Sequence, residues 1–269
     1  MSEERSGEFA GKVAVVTGGT SGSGEATARL IAARGAAGVT ICGRDAARGE
    51  AVAADIGAGG CPALFVQAEL ADVDACFHVI DETERRFGRL DALVNVAGLS
   101  TRGSVENTTP EVWDSLFAVN VRAPFFLAQR AVGVMRKHKI AGAIATVGSI
   151  VAYGGPPFLT PYATTKGALM TLTRNLANSL KRDRIRVNML NIGWTNTPWE
   201  HVVQTTVHNR GENWLEEAAK VQPFGRLIEP DDVARALAFM VSDESGLMTG
   251  AIIEYDQTVI GTADENPGM

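Results

Sequence analysis

The stretch "VVTGGTSGSGEATARL", residues 15–30, decides how this chain is built. A β-branched run ending at Thr17 breaks into glycines at 18, 19, 22 and 24, and a helix-forming run follows. Glycine serves where backbone must turn tightly or come close to a ligand, and Gly18, Gly22 and Gly24 hold those places. A helix opening at such a turn points its free N–H groups at an anion, with Ser21 and Ser23 beside them. The pyrophosphate of a dinucleotide fits that description. No Gly-Lys-Ser/Thr follows, which argues against the phosphate loop of an NTPase. A glycine cluster alone would also suit a purely structural turn; its place between strand and helix favours the nucleotide.

Along the rest of the chain, short apolar runs alternate with helical patterns. Residues 12–17, 38–42, 63–67, 91–95, 142–148, 185–190 and 251–255 read as buried strands, with helical spacing between most of them. Such alternation implies an α/β, Rossmann-like doubly wound fold: a parallel sheet of about seven strands with helices on both faces. Residues 11–260 are expected to form a single dinucleotide-binding and catalytic domain, between a polar N-terminal tail (1–10) and a C-terminal tail (261–269). Residues 194–224 break the pattern, with weak periodicity and a helical patch around "NWLEEAAKV". A long insertion late in an open α/β sheet is expected to be a substrate lid.

Composition narrows the class. The 269 residues are 45% hydrophobic and 21% charged, an ordinary globular balance. The formal net charge of −6, without a basic block, argues against nucleic-acid and membrane partners. The cysteines, Cys42, Cys61 and Cys76, are too few and scattered for a disulfide framework or a Cys-rich zinc site. With no signal-peptide pattern and no run long enough to span a bilayer, a cytoplasmic location is expected.

The second strand ends in "ICGRDAARG", residues 41–49. A strand in this position normally carries an acid for the ribose of NAD or an arginine for the extra phosphate of NADP. Gly43 stands where the acid would be and Arg44 follows, so NADP(H) is favoured, with NAD(H) as the alternative because Asp45 comes next.

In "PYATTKGALMTL", residues 161–172, Tyr162 and Lys166 sit one helical turn apart and share a face. A free phenol has a pKa near 10, too high for proton exchange at neutral pH, and a neighbouring cation lowers it. Lys166 is therefore expected to lower the pKa of Tyr162. Ser149, at the end of a predicted strand, would donate a hydrogen bond to the substrate oxygen. An isolated tyrosine–lysine pair would more often be an inert surface feature; its company argues otherwise.

The glycine turn, "NVAG" (95–98), Asn120 in "FAVNVRAPF", Ser149 in "ATVGSI" and "YATTK" (162–166) arrive in an order that resembles the short-chain dehydrogenase/reductase family, in its shorter single-domain branch. The resemblance runs from about residue 9 to 257. It implies that Tyr162 is the general acid/base, that Lys166 also binds the nicotinamide ribose, and that Asn120 anchors a proton relay. It further implies cofactor contacts at Glu69, Leu70, Asn95, Ala97 and Gly98, and at Gly193, Thr195 and Thr197 in the nicotinamide-binding turn. The chain departs from the family pattern at Ser23, Glu69, Ile192, Gln257 and Thr258. The implied protein interconverts a secondary alcohol and a ketone and assembles as a homotetramer or homodimer. Alternatives are a dinucleotide sensor without turnover and a reductase of acyl-carrier or steroid-type ketones.

Three of the four tryptophans, Trp194, Trp199 and Trp214, fall in the expected lid among hydrogen-bonding residues. Aromatic faces mixed with polar groups suit a sugar or polyol, with Trp194 and Trp199 as substrate contacts beside Ser149 and Tyr162. A subunit interface would look similar. His201 and His208 lack a carboxylate or cysteine pattern, so no metal is expected.

Overall fold

A computed structural model describes residues 7–262 of the chain. Seven strands form one sheet: β1 (Val13–Thr17), β2 (Gly38–Gly43), β3 (Ala63–Gln67), β4 (Ala92–Asn95), β5 (Ala143–Ser149), β6 (Arg186–Ile192) and β7 (Ile252–Tyr255). Their order is β3-β2-β1-β4-β5-β6-β7, with every neighbouring pair parallel. All residues of β1 and β5 are buried, as a sheet covered on both faces requires. Each strand lies within two residues of the run that the sequence marks.

The helices are α1 (Gly22–Ala33), α2 (Ala46–Ala58), α3 (Val73–Phe87), α4 (Pro110–Phe117), α5 (Ala123–Lys137), α6 (Thr160–Leu180), α7 (Pro198–Val202), α8 (Trp214–Lys220) and α9 (Pro230–Val241). Successive strand residues face opposite ways, so the sheet feeds two cores. Val16 and Ile41 pack with Ile31 of α1, Val52 of α2 and Leu237 of α9. Val15 and Leu93 pack on the other face with Val79 of α3, Leu127 of α5 and Ala177 of α6. Short polar side chains start several helices by accepting free backbone N–H groups: Asp45 for α2, Asp72 for α3, Thr109 for α4 and Thr197 for α7. The three cysteines are buried and unbridged. Among the described residues no helix is long and apolar enough to cross a membrane.

The N-terminal segment differs from the expected polar tail. Phe9 is fully buried in the core on the α1 side, and the N–H groups of Gly7 and Phe9 donate to Arg34 O. One aromatic ring thus anchors the described part of that segment; residues 1–6 lie outside the described residues. Of the expected C-terminal tail, residues 263–269 also lie outside them.

Because all strands run the same way, their C-terminal ends share one edge. Register aligns Thr17 with Asn95, Asn95 with Thr146, and Ser149 with Ile192. The order turns back between β1 and β4, which opens the crevice where such sheets take ligands.

Candidate active site

The glycine turn lines the first part of that crevice. Gly18 and Gly22 have φ of +66° and +54°, the left-handed region that side chains avoid. A Cβ on Gly18 would come within 3.0 Å of the Ala97 backbone, and one on Gly24 would come to 2.2 Å from Gly18 O. Ala97 and Val96 donate their N–H groups to Thr17 Oγ1, both at 3.1 Å, which fixes the strand-end segment against the turn. Ser21 begins α1 without capping it through its side chain, and Ser23 Oγ is buried without a hydrogen-bond partner. Asn95 Oδ1 is likewise buried and unsatisfied. Free donors at a helix start, orphaned polar atoms and a cradle that tolerates no Cβ fit a dinucleotide.

At the end of β2, a Cβ on Gly43 would meet Thr20 Cγ2 at 2.8 Å, so an acid there has no room unless Thr20 moves. Asp45 is occupied as the cap of α2, accepting from Arg48 N at 3.0 Å. Arg44 is exposed and lies 3.9 Å from Glu69, a loose contact between two solvated side chains. Leu70 packs its side chain into the core on the α3 side.

The reactive groups converge from three elements. Asn120 sits in a π-helical turn, Ala118–Arg122, an irregularity that re-aims side chains. Its Oδ1 accepts Leu99 N at 2.8 Å, while Nδ2 donates to Leu99 O at 2.8 Å and to Thr165 Oγ1 at 3.1 Å. It therefore ties the loop after β4 to α6. Lys166 is buried, donates to Val147 O at 2.9 Å, and holds its ammonium 5.5 Å from the centre of the Tyr162 ring. A Cβ on Gly98 would lie 3.4 Å from Asn120 Oδ1 and 3.7 Å from Lys166 Nζ, so glycine keeps that approach open. Ser149 ends β5, and its hydroxyl interacts with the Tyr162 hydroxyl.

The electrostatics correct one expectation. Burial pushes the Tyr162 phenol up to about 12; the Ser149 hydrogen bond and the Arg102 charge pull it down by less, and Glu200 adds to the rise. Burial also lowers Lys166 to about 8. Thus Lys166 does not bring Tyr162 below its ordinary value in the protein alone. Desolvation of the phenolate outweighs the charges around it.

Gly193 follows β6 and donates its N–H to Tyr255 O at 3.0 Å; a Cβ there would clash with Asp256. Thr195 is buried and donates to Gly193 O at 3.0 Å. Thr197 starts α7 and stands over the glycine turn, 3.5 Å from a Cβ placed on Gly22. The first and last motifs of the series thus meet across the crevice.

The tryptophans occupy different environments. Trp214 is fully buried, donates to His201 Nδ1 at 2.9 Å, and packs with Ala218 and Leu227. Trp194 is partly buried and donates to Glu200 Oε1 at 2.8 Å, whereas Trp199 is 63% exposed. The expected aromatic surface is therefore in good part a small core of the segment itself. Gln257 explains one departure from the family pattern. It donates to Arg226 O at 2.6 Å and accepts Phe224 N at 2.9 Å, clamping the segment's far end.

Sequence reading missed Arg102, and it took Glu200 only as one of several hydrogen-bonding residues among the lid tryptophans. The two side chains approach within 3.8 Å, and their charges reach the Tyr162 phenol. They lie far apart in the chain and belong to no motif, so no local signal marks their pairing. It also missed Thr165, whose hydroxyl donates to Tyr162 O at 2.7 Å while accepting from Asn120. The smallness of "ATT" was the available hint.

A family model described as enoyl-(acyl carrier protein) reductase matches residues 18–258. The chain is 35% identical over 248 residues to an NADP-dependent (R)-specific alcohol dehydrogenase of Lentilactobacillus kefiri, covering 91% of this chain and 95% of that protein. It is 32% identical to the 3-oxoacyl-[acyl-carrier-protein] reductase FabG of Thermotoga maritima, over 91% of this chain and 96% of that one. A short-chain dehydrogenase from Burkholderia cenocepacia, solved in complex with NADP, superposes with a TM-score of 0.83 at 33% identity, over 93% of this chain and 98% of that one. Sequence, fold and matched length agree: the chain is an oxidoreductase of the short-chain dehydrogenase/reductase family, in its single-domain branch.

Proposed function

We propose that this oxidoreductase interconverts a secondary alcohol and a ketone with NADP(H), and that Tyr162 moves the proton. The observation that carries the reading is the buried Lys166 ammonium, held by Val147 O at 2.9 Å and 5.5 Å from the centre of the Tyr162 ring, with the Ser149 hydroxyl favouring the phenolate. When bound, the nicotinamide supplies or accepts the hydride. A hydroxyl from Ser149 orients the substrate oxygen and stabilises charge on it. The Tyr162 phenol, held protonated by burial, donates to the oxygen formed when a ketone is reduced. Lys166 contributes a positive charge and a ribose contact, and Asn120 anchors the relay that links Lys166 to solvent.

The glycine turn, Ser21, Ser23, Asn95, Ala97 and Gly98 would hold the dinucleotide, with Gly193, Thr195 and Thr197 on the nicotinamide side. Arg44 would meet the extra phosphate of NADP. The crowding of Gly43 against Thr20 and the capping role of Asp45 both favour that preference. Residues 11–260 act as one catalytic domain, and the segment 194–224 serves as its lid. Copies of the chain assemble as a homotetramer or homodimer, a reading supported by Trp113 on α4 and Phe125 on α5, which stand 40% and 36% exposed.

A hydroxylated substrate of the sugar or polyol type fits the polar groups around Trp194 and Trp199. A second reading, reduction of acyl-carrier ketones, is favoured by the family model's description and by the FabG relative. Turnover of sugars, polyols, simple ketones and a 3-oxoacyl thioester, assayed with both nicotinamides, separates the two. Tyr162→Phe should abolish reduction while NADPH binding persists. Near-normal turnover in that variant would remove the basis of the proposal.

A further inference from the structure

A second polar centre stands beside the reacting phenol. Arg102 lies in the loop after β4, next to Gly103. Gly103 donates to Phe158 O at 2.9 Å and accepts Thr160 N at 3.1 Å, which pins the loop to the segment leading into Tyr162. Glu200 comes from α7. Its Oε2 lies 3.8 Å from Arg102 Nη2, and the two side chains are only 16% and 19% exposed. The Arg102 loop is hydrogen-bonded to the segment that opens α6 two residues ahead of Tyr162, and Glu200 follows Thr197, which stands over the glycine turn. This places the pair on the Tyr162 side of the crevice, where the charges of both reach its phenol.

The pair leaves much of its hydrogen-bonding capacity unused. A separation of 3.8 Å is an ion pair but not a hydrogen bond. Among the described residues Arg102 makes one hydrogen bond, from Nη1 to Ser100 O at 2.8 Å, and its buried Nε has no partner. The Glu200 carboxylate is held in place because Oε1 accepts Trp194 Nε1 at 2.8 Å and Gln204 Nε2 at 2.6 Å. No described residue donates to its Oε2. Spare donors on a guanidinium thus face a spare acceptor on a carboxylate.

Only some substituents satisfy both. A hydroxyl accepts from the guanidinium and donates to the carboxylate at once. A substrate carboxylate would meet the arginine but be repelled by Glu200, and a methyl would leave both groups unpaired. We propose that Arg102 and Glu200 form a hydroxyl subsite, and that the substrate carries a second hydroxyl close to the reacting carbon, as in an α-hydroxy ketone or a vicinal diol. This inference rests on the reading of Tyr162 as the proton carrier. It makes Arg102 and Glu200 specificity-determining residues.

Hydroxyacetone, acetone and pyruvate are methyl ketones whose other substituent is a hydroxymethyl, a methyl or a carboxylate. With NADPH, kcat/KM for hydroxyacetone should exceed that for acetone by roughly ten- to a hundredfold, the worth of a hydrogen bond to a charged group. Glu200→Gln and Arg102→Gln should each bring that ratio towards one. An unchanged ratio in both variants, or a wild-type preference for pyruvate, would overturn the subsite. Saturation-transfer NMR on the Tyr162→Phe chain loaded with NADPH reads the same preference without turnover. Stronger binding of hydroxyacetone than of acetone there supports the subsite, and equal binding overturns it. A wild-type chain that reduces none of the three ketones while keeping that binding preference overturns the proposed reaction and leaves the subsite standing.

Discussion

Burial acts in opposite senses on the two groups that the proposed chemistry needs. It holds Tyr162 neutral, at about 12, and brings Lys166 to about 8. A base with a lowered pKa keeps its charge below that value and loses it as pH rises through it. We therefore expect kcat/KM for NADPH, which reports on the free chain, to fall as pH climbs past about 8. A profile flat to pH 10 would contradict the assignment of a charged Lys166. Arg44 belongs to the same scale. Arg44→Ala should reduce the preference for NADP over NAD by about tenfold or more, read as the ratio of kcat/KM values. Tyr162, Lys166, Ser149 and Asn120 were legible because each stands in a short stretch of recognisable spacing. Arg102 and its pairing with Glu200 were not, because the two meet only when the loop after β4 and the start of α7 are folded together.

Elements were easier to read than the contacts between them. Strands declare themselves in sequence because both their faces are buried, which leaves uninterrupted apolar runs bounded by polar turns. The segment between β6 and α9 hides its structure, since its pieces are too short for a period to show. There, α7, a π-helical turn (Val203–Val207) and α8 follow one another within a few residues. Tryptophans that suggested an open aromatic surface include one wholly buried ring, Trp214, which gives the segment its own support. Trp214→Ala should cost about 3–5 kcal/mol at that site. The expected signature is a raised KM for the ketone with a smaller loss of cofactor affinity, because the glycine turn belongs to another element and only Thr195 and Thr197 of residues 194–224 face the dinucleotide side. Equal loss of both affinities would show that the segment and the cofactor cradle move together.

At the scale of the whole molecule, an open sheet exposes the outer faces of its helices, and some of those faces are not polar. Trp113 stacks on Phe117 at 4.9 Å between ring centres, and Phe125 meets Phe126 edge-on at 5.2 Å. Apolar rings partly exposed on α4 and α5 suit the contact between copies proposed above. Sedimentation velocity should give a dimer or tetramer, and Phe125→Glu should shift the population towards the monomer; a monomeric wild-type chain would rule that contact out. A different division runs through each copy. Two apolar clusters flank the sheet, while Trp214, Ala218 and Leu227 form a third apart from them. Warming can then loosen the segment over the crevice while the seven strands stay whole. Heat inactivation of this protein would precede its global melting, and the temperature at which activity fails would measure that small third cluster rather than the fold.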